Sequence, residues 1–132
     1  MIAIIRIRGQ VNLKSELVNT FYRLRLRKKL TCIVIDEKDE IRMGMLKKVS
    51  QYVAYGKIDD ALYNEMIEKR GELKSEIKNE KVKPKKTKDN IKPFFRLHPP
   101  VGGFKKSTKK DVGQKGILGK HEDIGKLLRR ML

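Results

Sequence analysis

The sequence predicts an α/β fold of the α+β type, a small sheet with helices on one face, followed by a basic C-terminal extension. Three observations carry that reading. Short β-branched runs alternate with segments of helical apolar spacing over residues 1–71, a polar Lys-rich stretch covers 72–92, and apolar spacing resumes over 93–132. A length of 132 residues suits one core domain with appendages.

The first strand runs from Ile2 to Arg8, with Ala3, Ile5 and Ile7 on one face and Ile2, Ile4, Arg6 and Arg8 on a mixed one. Gly9 to Asn12 make a turn, and Asn12 stands where a helix cap belongs. The helix it would cap keeps Leu13, Leu17, Phe21 and Leu24 on one side and loads its last turn with Arg23, Arg25, Arg27, Lys28 and Lys29. Thr31 to Ile35 form a second strand, closed by the acidic stretch Asp36 to Glu40. A second helix buries Ile41, Met45, Leu46, Val49 and Val53 and exposes Arg42, Lys47 and Lys48. Val53 to Ile58 suit a third strand, after which Asp59 caps a helix with Ala61, Leu62, Met66 and Ile67 inside and Gly71 as its stop. The core is expected to end there. Residues 72–92, centred on Lys83-Pro84-Lys85-Lys86, have little to bury and read as a linker or arm. In the extension, Phe94, Phe95 and Leu97 suggest a short strand, His98 to Phe104 a rigid Pro/Gly turn, and Lys105 to Lys110 a basic loop. Ile124, Leu127, Leu128 and Met131 then mark a terminal helix with Arg129 and Arg130 beside them.

Charge bounds the function. The chain holds 33 Lys and Arg against 16 Asp and Glu, a net +17 that points to a polyanionic partner. The excess is uneven: +7 over residues 1–30, −2 over 31–80 and +12 over 81–132. A single Cys32 rules out a disulfide framework and suits a reducing, intracellular compartment. The apolar run Ile2 to Ile5 is far too short for a membrane span or a signal-peptide core, so the chain reads as a soluble protein with no membrane partner.

Arginines and lysines at a helix end can grip consecutive phosphates, and the guanidinium fork does so bidentately. On charge and position alone, the cations expected to grip a phosphate backbone are Arg23, Arg25, Arg27, Lys28 and Lys29 after the first helix and, in the +12 tail, Lys85, Lys86, Lys105, Lys106, Lys109, Lys110, Arg129 and Arg130. Phe94, Phe95 and Phe104 could stack on bases, but their spacing suits packing better. His98 and His121 have no ligand set around them, no phosphate-binding glycine motif occurs, and Asp36 to Glu40 read as a solvated acidic loop rather than a Mg²⁺ site. No catalytic residue, metal, cofactor or small-molecule substrate is expected. The rivals are a DNA-compacting protein, which the charge alone would permit, and a small RNA-processing enzyme, for which no paired acid and base is present.

Several stretches together resemble the archaeal branch of the universal large-subunit ribosomal protein family L-thirty, whose eukaryotic counterpart is L-seven. They are Ile5-Arg6-Ile7-Arg8-Gly9 with Val11-Asn12, Leu24-Arg25-Leu26-Arg27, Gly44-Met45-Leu46 with Lys48-Val49, Tyr52 to Ile58, Glu68 to Gly71, Phe95 to Pro100, Gly102-Gly103, Gly119-Lys120 and Leu127 to Leu132. Their order and spacing, rather than any one of them, carry the likeness over nearly the whole chain. The resemblance implies a ferredoxin-like βαβαβ core, binding to large-subunit ribosomal RNA near the 5S RNA, neighbouring ribosomal proteins, a cytoplasmic place in the ribosome and no enzymatic activity. It also implies RNA contacts at the end of the first helix, on the second helix through Arg42, Lys47 and Lys48, and around the proline-glycine loop through Arg96 and His98, and Arg6 and Arg8 of the first matching stretch join the expected RNA-binding set. Two departures stand out: Val101 occupies a position where the family often has Arg, shifting any phosphate contact to Lys105 or Lys106, and residues 72–92 have weak family character.

Overall fold

The computed structural model describes residues 1–7, 13–73, 91–101, 103, 107–111 and 116–132, the stretch 107–111 by its backbone alone. Six strands form one sheet in the order β4-β2-β1-β3-β6-β5: β1 (Ile2–Arg6), β2 (Thr31–Ile35), β3 (Val53–Lys57), β4 (Phe95–Arg96), β5 (Ser107–Asp111) and β6 (Gly116–Lys120). The helices among the described residues are α1 (Ser15–Arg23), α2 (Glu40–Val49), α3 (Asp60–Arg70) and α4 (Ile124–Met131). The first five elements in chain order give the expected βαβαβ core, with β1 at its centre, antiparallel to β2 and β3.

All of Ile2 to Arg6 is buried, so both faces of β1 need cover. On one face, Ile2 and Ile4 pack with Phe21, Leu24 and Leu26 from α1 and its exit, and with Leu46 and Val49 from α2. The crossover helices thus lie on one face, as expected. The other face is not left open: Ala3, Ile5 and Ile7 pack against Leu62, Met66 and Ile67 of α3 and Ile124, Leu127, Leu128 and Met131 of α4. The physical reason is the unbroken apolar run at the start of the chain, which alternation sends to both sides of the sheet.

The described residues from 91 onward therefore help build the core rather than decorate it. Ile91, Phe95, Leu97, Ile117 and Leu118 join the second layer, and β4 and β6 extend the sheet on both sides. The last helix is seated on β3 at Gly56, where a Cβ would lie 2.7 Å from the His121 carbonyl oxygen and 3.0 Å from Ile124 Cβ. Lys109 and Lys110, expected in a loop, lie on the edge strand β5. The β6 strand had no expected counterpart.

Helix boundaries differ in instructive ways. Asp59 caps α3 as expected, its Oδ1 accepting from Leu62 N at 2.8 Å, and Asp39 does the same for α2 through Arg42 N. At α1 the cap position falls on Lys14, which makes no side-chain cap bond, and Asn12 lies outside the described residues. Ile41 is 74% exposed, because it sits about 140° round α2 from the buried Leu46. Ala61, also expected inside, is exposed.

Candidate nucleic-acid interface

Strand register assigns each loop to one of two ends of the sheet. Ile2 pairs with Ile35 and Lys57, while Arg6 pairs with Val53, so β2 and β3 finish and start, respectively, at the Met1 and Arg6 ends. Helix α2 must then run from the Met1 end to the Arg6 end. Strands β3 and β6 are parallel, with Tyr55 opposite Lys120, so α3 and α4 also begin at the Met1 end. Asp36, Glu37, Asp39, Glu40, Asp59, Asp60, Glu122 and Asp123 all sit in these strand-to-helix junctions, which gathers half of the chain's acidic residues at one end. Carboxylates there favour the positive ends of three helix dipoles.

The opposite end is cationic. Lys47 and Lys48 close α2, Arg129 and Arg130 close α4, and the chain around Leu30 and Leu97 brings Arg27, Lys28, Lys29, Arg96 and His98 alongside. Two backbone bonds tie this end together, Leu97 N to Leu30 O at 3.0 Å and His98 N to Met131 O at 3.1 Å. Lys47, Lys28, Lys29, Arg96, His98 and Arg129 are exposed, and Lys48 is exposed while pairing with Glu16 at 3.5 Å.

The cations after α1 were expected on its last turn, yet only Arg23 is helical. Leu24 ends the helix. Arg25 N donates to Tyr22 O at 3.1 Å and Leu26 N to Phe21 O at 2.9 Å, a paired closure that requires a left-handed residue at Arg25, whose φ is +62°. Leu26 is then driven into the core, fully buried, while Arg25, Arg27, Lys28 and Lys29 stay exposed in the loop. Arg23, Arg25 and Arg42 line a crease with Leu24, Ile33, Val34 and Pro93 on the flank of the sheet. Arg42 leans toward Asp39, with Nε 3.5 Å from Oδ2.

One expected contact, Arg6, is corrected by its burial, and Arg130 has partners of its own within the fold. Arg6 is 1% exposed: its Nη1 donates to Leu26 O at 2.6 Å and its guanidinium lies 4.2 Å from the Phe21 ring centroid. Burial lowers its pKa from the ordinary arginine value, and an arginine still keeps its proton. It braces the loop from within and cannot touch RNA. Arg130 is half-buried and donates from Nη2 to the carbonyls of Val101, at 3.1 Å, and Gly103. It shapes the proline-glycine turn, whose tip, Val101, is 78% exposed. Arg8, Lys85, Lys86, Lys105 and Lys106 lie outside the described residues, as does Phe104.

Phe95 packs in the core, and Phe94 sits half-buried beneath Arg96, whose guanidinium is 5.6 Å from its ring centroid. Sequence reasoning passed over Tyr22, which is 60% exposed and carries the Arg27 guanidinium 4.2 Å above its ring centroid. The available signal was its place beside Phe21, off the apolar stripe of α1. Burial pushes the Cys32 thiol up to about 12, which leaves it protonated and inert at neutral pH. His121 Nε2 bonds the Ile117 carbonyl, a structural use. Among the described residues no group of three or more His, Cys, Asp or Glu could hold a metal ion.

These features define a small α+β protein with a ferredoxin-like core and charge segregated between the two ends of its sheet. Residues 2–53 match the family model for ribosomal protein L30p/L7e. The chain is 37% identical to large ribosomal subunit protein uL30 of Cenarchaeum symbiosum, the alignment covering 98% of this chain and 96% of that one. Identity is 39% to the uL30 protein of Methanothrix thermoacetophila, covering 99% of both chains, and 37% to that of Korarchaeum cryptofilum, covering 100% and 95%. The chain belongs to the uL30 family of large-subunit ribosomal proteins, which are structural proteins and not enzymes.

Proposed function

We propose that this protein binds large-subunit ribosomal RNA near the 5S RNA and stabilises its fold during assembly and translation, within the cytoplasmic ribosome and beside other ribosomal proteins. The observation that carries the reading is the cationic end of the sheet, where α2, α4, the 24–30 loop and β4 display Lys47, Lys48, Arg129, Arg27, Lys28, Lys29 and Arg96. Arg23, Arg25 and Arg42 continue this surface along the flank. The acidic end faces the other way, so phosphates attract one end and repel the other, which orients the protein before contact. Lys85, Lys86, Lys105, Lys106, Lys109 and Lys110 belong to the same proposed set of phosphate-neutralising cations on the strength of the +12 charge of residues 81–132.

Lysines and arginines on phosphates release counterions, so affinity should fall by about 10³ to 10⁵ between roughly 50 and 200 mM salt for about six to ten neutralised phosphates. Backbone shape rather than base identity supplies most of the selectivity. Filter binding of the purified chain to transcribed large-subunit ribosomal RNA, with duplex DNA as competitor, tests the reading. Preference for the ribosomal RNA and co-sedimentation with the large subunit are expected. Equal retention of DNA would favour a general nucleic-acid binder instead.

A further inference from the structure

A rigid ring standing in water beside several cations is an unusual way to leave a tyrosine. Tyr22 lies on the last turn of α1, next to the fully buried Phe21, and 60% of its surface is exposed. Arg27 reaches back over it from five residues further on, and three features fix that return. The backbone reverses at Arg25, Leu26 is sunk in the core, and Arg6 holds the Leu26 carbonyl at 2.6 Å. Arg27 is the next residue along, so its guanidinium is delivered onto one face of the Tyr22 ring at 4.2 Å. The stack is set by the fold and not by a chance encounter of two surface side chains.

We propose that the Tyr22–Arg27 stack is a platform for one unpaired base of the RNA, which lies on the ring face that Arg27 leaves open. The inference rests on the reading above that this end of the protein binds RNA. The chemistry suits a base: an exposed aromatic face stacks on any nucleobase, and a guanidinium on the far side of the ring strengthens the π-stack by cation–π attraction. Arg23, Arg25, Lys28 and Lys29, exposed on both sides of the stack in sequence, are available for the phosphates that flank such a base. Unpaired bases in loops and bulges, unlike bases within a helix, present a free face to such a ring. A neighbouring protein side chain is the competing occupant.

The test is affinity of the full chain for transcribed archaeal large-subunit ribosomal RNA, free of other proteins, measured across a series of salt concentrations. Tyr22→Phe should bind within about twofold of wild type, and Tyr22→Ala should bind about 5- to 150-fold more weakly. The slope of log affinity against log salt should be the same for all three, because stacking releases no counterion. Arg27→Lys keeps the charge and loses the planar stack, so it too should weaken binding at unchanged slope. Melting midpoints for Tyr22→Ala and wild type, expected to agree, separate a missing stack from a failure to fold. Wild-type affinity in Tyr22→Ala, or a loss seen only as a shallower slope, would overturn the platform and favour a protein occupant or a purely electrostatic loop. Failure of wild type itself to bind this RNA would instead overturn the proposed function, so the two readings fail separately.

Discussion

Residues 24–30 and the turn that holds residues 98–101 and 103 are both surface segments braced by an arginine, yet they present opposite surfaces. Arg6 enters the first from the sheet, donating to the Leu26 carbonyl beneath Phe21 at 1% exposure. Arg130 enters the second from the end of α4, donating to the carbonyls of Val101 and Gly103 while partly exposed to water. In return, Val101 N donates to the Arg130 carbonyl at 3.0 Å, so helix end and loop cap each other. The first loop holds Arg25, Arg27, Lys28 and Lys29 outward; the second holds out Val101 and His98. Both loops thus draw a guanidinium from another element to their carbonyls, and only the buried one, Arg6, is withdrawn from the surface.

Removing the braces breaks the comparison in order of burial. Arg6→Ala should cost the most, about 3 kcal/mol or more in a urea denaturation series, since it opens a cavity under Phe21 and leaves a buried carbonyl without its donor. Gly56→Ala should follow at about 1–3 kcal/mol, by forcing α4 away from β3. It should also speed amide hydrogen exchange at His98 and Val101, which lean on α4, and leave Leu26 and Arg25 protected. Arg130→Ala should cost about 1 kcal/mol, because water can replace an exposed donor. Equal losses for Arg6→Ala and Arg130→Ala would show that burial does not separate the two loops.

The legibility of the fold followed the range of the interactions that build it. The βαβαβ order was readable because each of its elements carries a local period, as in Thr31 to Ile35 or in Leu17 and Phe21. The second layer was not, since Ile117 and Leu118 form too short a run to reveal a strand, and only the register against Ala54 and Tyr55 gives β6 its place. Among the candidate RNA-binding residues, exposure was readable for Lys47 or Arg129 from the helical repeat. The inward turn of Arg6 was not, because alternation gives the face of a side chain and not whether a loop 20 residues later will cover it. Tyr22 was hidden for a related reason: the return of Arg27 depends on a left-handed Arg25, a conformation usually assigned to glycine.

That left-handed arginine offers the finest division between stability and binding. A non-glycine residue at φ +62° carries a backbone cost of about 1–2 kcal/mol, which glycine avoids. Part of that gain is offset by the larger entropy a glycine loses on folding. Arg25→Gly should therefore be neutral to stabilising by about 1 kcal/mol, with the 24–30 loop intact and Arg27 still over Tyr22. Its RNA affinity should nevertheless fall, and its salt slope should become shallower by about 0.7–0.9, the signature of one phosphate left unneutralised. Arg25→Ala keeps the backbone cost and should show the same shallower slope without the gain in stability. A more stable Arg25→Gly chain that binds as tightly as wild type would mean that the arginine tolerates its strained backbone for no phosphate, and would move the binding surface away from the flank it shares with Arg23 and Arg42.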